Sequence, residues 1–80
     1  MASITVTIEK ELGDLSVAKN GWKKQLTYTS WNHHPAKFDL RSWNAEHTAM
    51  TKGLTLTRDE LIRLKEILNA LDLDDPELNE

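Results

Sequence analysis

Five aromatic residues, Trp22, Tyr28, Trp31, Phe38 and Trp43, lie between positions 22 and 43 of an 80-residue chain, and the rest of the sequence holds none. Lys23, Lys24, Lys37 and Arg41 are interleaved with them. Rings on which unpaired bases lie flat, set among cations that neutralise phosphates, are what a single-stranded nucleic-acid surface requires. The competing reading is structural: tryptophan is usually largely buried, and lysines on a small domain are usually only solvated.

Other chemistries find less support. His33, His34 and His47 have no carboxylate at a familiar ligand spacing, and adjacent strand residues point to opposite sides, which argues against a metal site. Ser30 and Ser42 lack the strained elbow and oxyanion loop of a hydrolytic triad. Three glycines are too few for the usual phosphate-cradling loop. The absence of cysteine removes disulfides, thiol catalysis and thiolate metal sites together, and suits a reducing compartment. The expectation is a protein that is not an enzyme, with no cofactor, metal or small-molecule substrate.

A formal net charge of -3 hides a segregation of sign. Seven Lys and Arg between positions 19 and 58 face only Asp39 and Glu46, whereas from position 59 onward Arg63 and Lys65 face eight acids. The middle is basic and the end acidic, so the basic stretch coincides with the aromatic one. No run approaches the roughly 18 apolar residues of a membrane span, and the first residues lack the basic start and apolar centre of a signal peptide. A cytoplasmic protein without membrane contact is expected.

These side chains need elements to position them. Positions 4–8 read Ile-Thr-Val-Thr-Ile, an alternation that predicts a half-buried strand. It can continue to Val17, with a bend at Gly13-Asp14 where the apolar parity changes between Leu12 and Leu15. Asn20-Gly21 predicts the turn of a hairpin into a strand over 22–32. There Lys23, Gln25, Thr27, Thr29 and Trp31 share one face, and Trp22, Lys24, Leu26, Tyr28 and Ser30 the other. His33-His34-Pro35 breaks the ladder, and the chain returns over 37–43. Phe38, Leu40 and Ser42 then point to the core, while Lys37, Asp39, Arg41 and Trp43 form a charged, aromatic face. Asp39 is placed to hold the Arg41 guanidinium. After a polar connection over 44–52, positions 53–56 give a short strand with Leu54 and Leu56 on one side.

Thr57-Arg58-Asp59-Glu60 is a capping box that starts a helix. Leu61, Leu64, Leu68 and Leu71 recur at spacings 3-4-3, flanked by Ile62 and Ile67, a stripe wider than one small sheet needs. Part of it is expected to face a second subunit, since a chain this short gains stability from one. Asp74-Asp75-Pro76 is predicted to stop the helix, leaving a frayed acidic end over 77–80. The fold class is α+β: a four-stranded antiparallel sheet followed by one C-terminal helix on one face, the other face left open. One domain over 1–72 and an acidic flexible tail over 73–80 complete the organisation.

At Trp22-Lys23-Lys24, Ser30-Trp31-Asn32, Lys37-Phe38-Asp39-Leu40-Arg41-Ser42-Trp43 and Met50-Thr51-Lys52-Gly53-Leu54-Thr55-Leu56-Thr57, the sequence resembles the bacterial YdbC-type branch of the transcriptional coactivator positive cofactor four family. The resemblance runs over roughly residues 4–71. It implies curved sheets, a homodimer joined largely through its helices, and binding of single-stranded DNA with little sequence preference. Carried over by position, it places Arg41 on the family's strand-three arginine, Lys52 and Gly53 on its strand-four Lys-Gly, Trp31 on a base-stacking aromatic, and Trp43 on or beside a second one. The acidic end departs from the basic or serine-rich tail of eukaryotic relatives, so their tail-dependent regulation does not transfer.

Together these readings assign Lys23, Gln25, Thr27, Trp31, Lys37, Arg41, Trp43, Lys52 and Gly53 to nucleic-acid binding, and Leu61, Leu64, Leu68 and Leu71 to a dimer interface. The expected function is that of a non-sequence-specific, coactivator-like single-stranded DNA binder associated with the bacterial nucleoid, with replacement of Trp31 or Trp43 weakening binding without unfolding. Two alternatives stay open. A single-stranded RNA binder or chaperone uses the same contacts unless something reads the 2′-hydroxyl, and melted duplex is a related ligand. A protein-interaction adaptor would bind oligonucleotides weakly and with little salt dependence.

Overall fold

Alternation of β-branched and polar residues produces four strands, β1 (Val6–Val17), β2 (Lys23–Trp31), β3 (Lys37–Trp43) and β4 (Leu54–Leu56), followed by helix α1 (Arg58–Ala70). The computed structural model describes residues 4–78. The strands form one antiparallel sheet in sequence order, each pairing with the next. The expected fold is therefore the one observed. Residues 79–80 of the predicted acidic end lie outside the described residues; before them, Pro76–Leu78 forms a short 3-10 turn.

Where the sequence predicts one bend in the first strand, β1 has three register shifts, between Ile8 and Lys10, Glu11 and Gly13, and Asp14 and Ser16. At each, one extra β1 residue opposes a shorter step on β2, and a bulge of this kind bends the strand and increases its twist. The β1–β2 connection turns at Gly21, whose φ of 91° is a conformation that costs glycine nothing. Asn20 caps the turn by accepting the Trp22 N–H on its side-chain oxygen at 3.1 Å.

The capping box forms as predicted. Thr57 Oγ1 accepts the Glu60 N–H at 3.2 Å, and Glu60 Oε1 accepts the Thr57 N–H at 2.8 Å. The helix ends at Ala70, well before Asp74-Asp75-Pro76, and Leu71 is already extended. Two causes favour the early stop. No base lies in the last turn to offset the negative end of the helix, and the acids just beyond it are unfavourable there. Asp72 Oδ1 also accepts the Asp74 N–H at 2.9 Å, a local bond that competes with helix continuation.

The two faces of the sheet differ from the expected pair of core and open surface. On the helix side, Leu15, Leu26, Leu40 and Leu56 meet Leu61, Leu64 and Leu68 around an apolar groove of about 410 Å³. No α1 residue is buried. On the other side Gln25, Thr27, Thr29, Asp39 and Trp43 are all buried. The face predicted to lie open is thus covered over much of its area, and it carries the candidate site.

Candidate nucleic-acid interface

Strand register builds the site. Pairing of β2 with β3 sets Thr27 opposite Asp39, Gln25 opposite Arg41 and Lys23 opposite Trp43, with Thr29 opposite Lys37. Asp39 and Arg41, two residues apart on β3, project to the same side and join in a bidentate pair: Arg41 Nε donates to Asp39 Oδ2 and Nη2 to Oδ1, both at 2.7 Å. The Asp39 side chain is fully buried and that of Arg41 nearly so. A carboxylate removed from water is costly unless its oxygens are satisfied, and the planar guanidinium fork does this at both atoms.

The pair fixes the guanidinium 4.4 Å from the centre of the Trp31 ring. Arg41 Nη1 also lies 3.6 Å from Met50 Sδ. Gly53 is the neighbour that permits this. A methyl group there would overlap Arg41 Cβ and the Leu40 carbonyl and stand 3.0 Å from Arg41 Nε. Among the predicted site residues, Gly53 thus leaves the space that Arg41 occupies.

From Trp31 a row of planar groups continues. Its ring stacks on Trp43 with centroids 6.3 Å apart and planes at 16°, and Trp43 meets the His47 imidazole at 5.6 Å. His47 sits at a φ of 58° in the loop between β3 and β4. Asn44 shapes that loop: its side-chain oxygen accepts the N–H groups of Thr48 and Ala49 at 2.8 and 2.9 Å. Gln25 anchors it. Its amide nitrogen donates to Glu11 Oε1 at 3.0 Å and Asp14 Oδ1 at 2.8 Å, so its oxygen is left to face His47 Nε2 at 2.8 Å. That oxygen can only accept, so a neutral His47 carries its proton on Nε2.

Several predicted contacts are consequently repositioned. Trp43, expected to expose its ring, is only 2% exposed, because Trp31 stacks on it and the His47 ring, tilted by 40°, packs against it. Gln25 and Thr27 are buried as well: Gln25 is spent on holding β1 to the loop, and Thr27 Oγ1 bonds Thr29 Oγ1 at 2.7 Å. All three support the site from beneath. The indole N–H groups of Trp31 and Trp43 are buried without an acceptor among the described residues. Lys23 stands 4.0 Å from Asp14, half exposed, at the start of β2 opposite Trp43. Lys37 and Lys52 are exposed.

Trp31, Lys37 and Arg41 are brought together. With Ile4, His34, Pro35, Met50 and Thr55 they line an open groove of about 460 Å³. Met50, Thr55 and His47 escape sequence reasoning, since the connection that holds two of them carries no period. Met50 reaches the site through a single bridge to Trp43. An unstacked base fits this groove chemically: the outer plane of the guanidinium, backed by the Trp31 ring, for its face, and Lys37 for its phosphate.

Residues 18–67 match the family described as Transcriptional Coactivator p15 (PC4). An uncharacterized protein of Treponema pallidum (strain Nichols) is 42% identical over 67 residues, which span 84% of this chain and 79% of that protein. The family match covers β2, β3, β4 and most of α1, and includes Trp31, Lys37, Arg41 and Gly53.

Proposed function

The chain belongs to the Transcriptional Coactivator p15 (PC4) family, and from that premise we propose that it binds single-stranded DNA without base specificity, as a homodimer at the bacterial nucleoid. The observation that carries the reading is the groove in which Trp31 lies under a guanidinium locked by Asp39, with Lys37 on the same rim. Among the described residues its lining offers planes and cations and, beside them, only the polar side chains of His34 and Thr55, too few to read a run of base edges. Lys52, exposed and adjacent to Gly53, extends the cationic side of the path.

Anisotropy titrations of labelled single-stranded DNA, RNA and duplex at two salt concentrations, followed together with tryptophan quenching, test the proposal. The expected result is salt-sensitive binding to single-stranded DNA with quenching, weaker on duplex. Replacing Lys37 or Lys52 by alanine is expected to flatten the slope of log affinity against log salt by about 0.7 each, the value for one phosphate contact on a single strand. Preference for RNA assigns the site to RNA instead, and absence of binding at low salt leaves the protein-interaction alternative.

A further inference from the structure

We propose a second base-stacking subsite on the opposite face of the sheet, formed by Tyr28 and Phe38 between the cations Lys37 and Arg58, so that one nucleic-acid strand crosses the sheet rim at Pro35 and is held on both sides. The proposal rests on the single-strand reading above. Its starting point is a shortfall: with Trp43 covered, Trp31 alone among the aromatic residues lines the first groove. A strand of several nucleotides held by stacking needs further rings.

Tyr28 and Phe38 supply them. They are direct cross-strand partners on β2 and β3, with ring centroids 5.0 Å apart and planes tilted by 44°. Tyr28 is 37% exposed. With Pro35, Ala36, Lys37, Thr57 and Arg58 they line a mostly apolar groove of about 290 Å³. Pro35 and Lys37 also line the Trp31 groove, so the two are continuous around the turn between β2 and β3. Lys37 at the crossing and Arg58 at the far wall set positive charge along that path, where a phosphate backbone would run. Of the two acids that follow Arg58, Glu60 is bonded back to the Thr57 N–H. The leucine groove between sheet and helix shares no lining residue with this one.

Photo-crosslinking tests the path. Thymidine oligonucleotides of about 4 and about 12 nucleotides, lengths within the range of common single-strand sites, carry one 5-iodouracil at each position in turn, and adducts are located by mass spectrometry. The longer strand is expected to cross-link to Trp31 from one position and to Tyr28 or Phe38 from another, several nucleotides away. Tyr28→Ser is expected to weaken the longer strand about 10-fold, one stacked base, and to leave the shorter one unchanged. Arg58→Ala, at an exposed position, reports on the same groove should the Tyr28 variant fail to fold, and is expected to flatten the salt slope for the longer strand only. Adducts confined to Trp31, with unchanged affinity in both variants, overturn the second subsite and leave single-strand binding standing. Tyr28 shielded from iodination in the DNA-free protein shows that a second copy covers the groove and overturns it too. No adduct and no binding at either length removes both readings.

Discussion

Arg41 and Asp39 form a neutral unit, and that changes what each side chain around them contributes. With its Nε–Nη2 edge committed to the carboxylate at 2.7 Å, Arg41 presents a fixed plane over Trp31 more than a free positive charge. The salt dependence of binding then falls on the exposed lysines, and stacking on the Arg41 plane that Trp31 backs. The two tryptophans separate accordingly. Trp31→Ala is expected to weaken single-stranded DNA by about 1–3 kcal/mol, the range for one stacked base, with the smaller loss of stability. Trp43→Ala opens a cavity beneath Trp31 and His47 and is expected to cost about 3–5 kcal/mol of folding free energy, the range for a buried aromatic truncated to alanine. Urea unfolding alongside the titration distinguishes them. A Trp43 variant as stable as wild type would show that the stack is not packed as described. The residue pattern made Arg41, Asp39 and Trp31 readable because strand parity places them on one face; it carried no information on what covers that face, so Trp43, Gln25 and Thr27 were expected to be exposed.

Among the elements, α1 carries the clearest local code. The Thr57 N–H bonded to Glu60, together with the Thr57 hydroxyl, lowers the carboxylate below its ordinary value of 4.5. The folded state therefore holds the ionised form better than the unfolded chain does. Its contribution is complete above the unfolded value and is lost as pH falls from there through the lower folded value. Thermal melts followed by helical circular dichroism are expected to show stability falling below pH 4.5 more steeply in the wild type than in Glu60→Gln; equal slopes would mean that the box does not hold in solution. Four residues sufficed to announce this cap because every bond in it is local. The bulges of β1 are harder to read. Three register shifts depend on how a twelve-residue strand wraps its neighbour, and only the one near Gly13 leaves a parity change in the sequence. Hardest is the loop between β3 and β4, whose His47 finds Gln25 across 22 positions of sequence. No periodicity marks that contact, yet it closes one end of the stack at the site.

At the scale of the molecule, the distribution of buried surface is inverted. The described residues bury a polar ladder and one tryptophan on the site face, whereas the helix face leaves Leu15, Ile62, Ile67, Leu68 and Leu71 each at least 40% exposed. No α1 residue is buried in the isolated chain, although Leu61 and Leu64 are half-covered over the sheet. Exposed apolar area of this kind is costly in water and is recovered when a second surface closes on it. The homodimer proposed above, seated on α1, would supply that surface and leave the Trp31 groove on the opposite side of each sheet free, doubling the single-strand sites per particle. Two consequences follow by mass action. Light scattering is expected to give twice the mass of one chain, and the melting temperature is expected to rise with protein concentration, since folding and association are coupled. Leu68→Glu places a charge on the most exposed leucine of the stripe that also lines the groove, and is expected to abolish the concentration dependence and lower the melting temperature. Because Leu68 lies on the face away from Arg41 and Trp31, any residual folded monomer should still quench on binding a short strand, though without the avidity of two linked sites. A wild-type chain that stays monomeric at every concentration, with a constant melting temperature, would mean that the exposed stripe is tolerated and not paired.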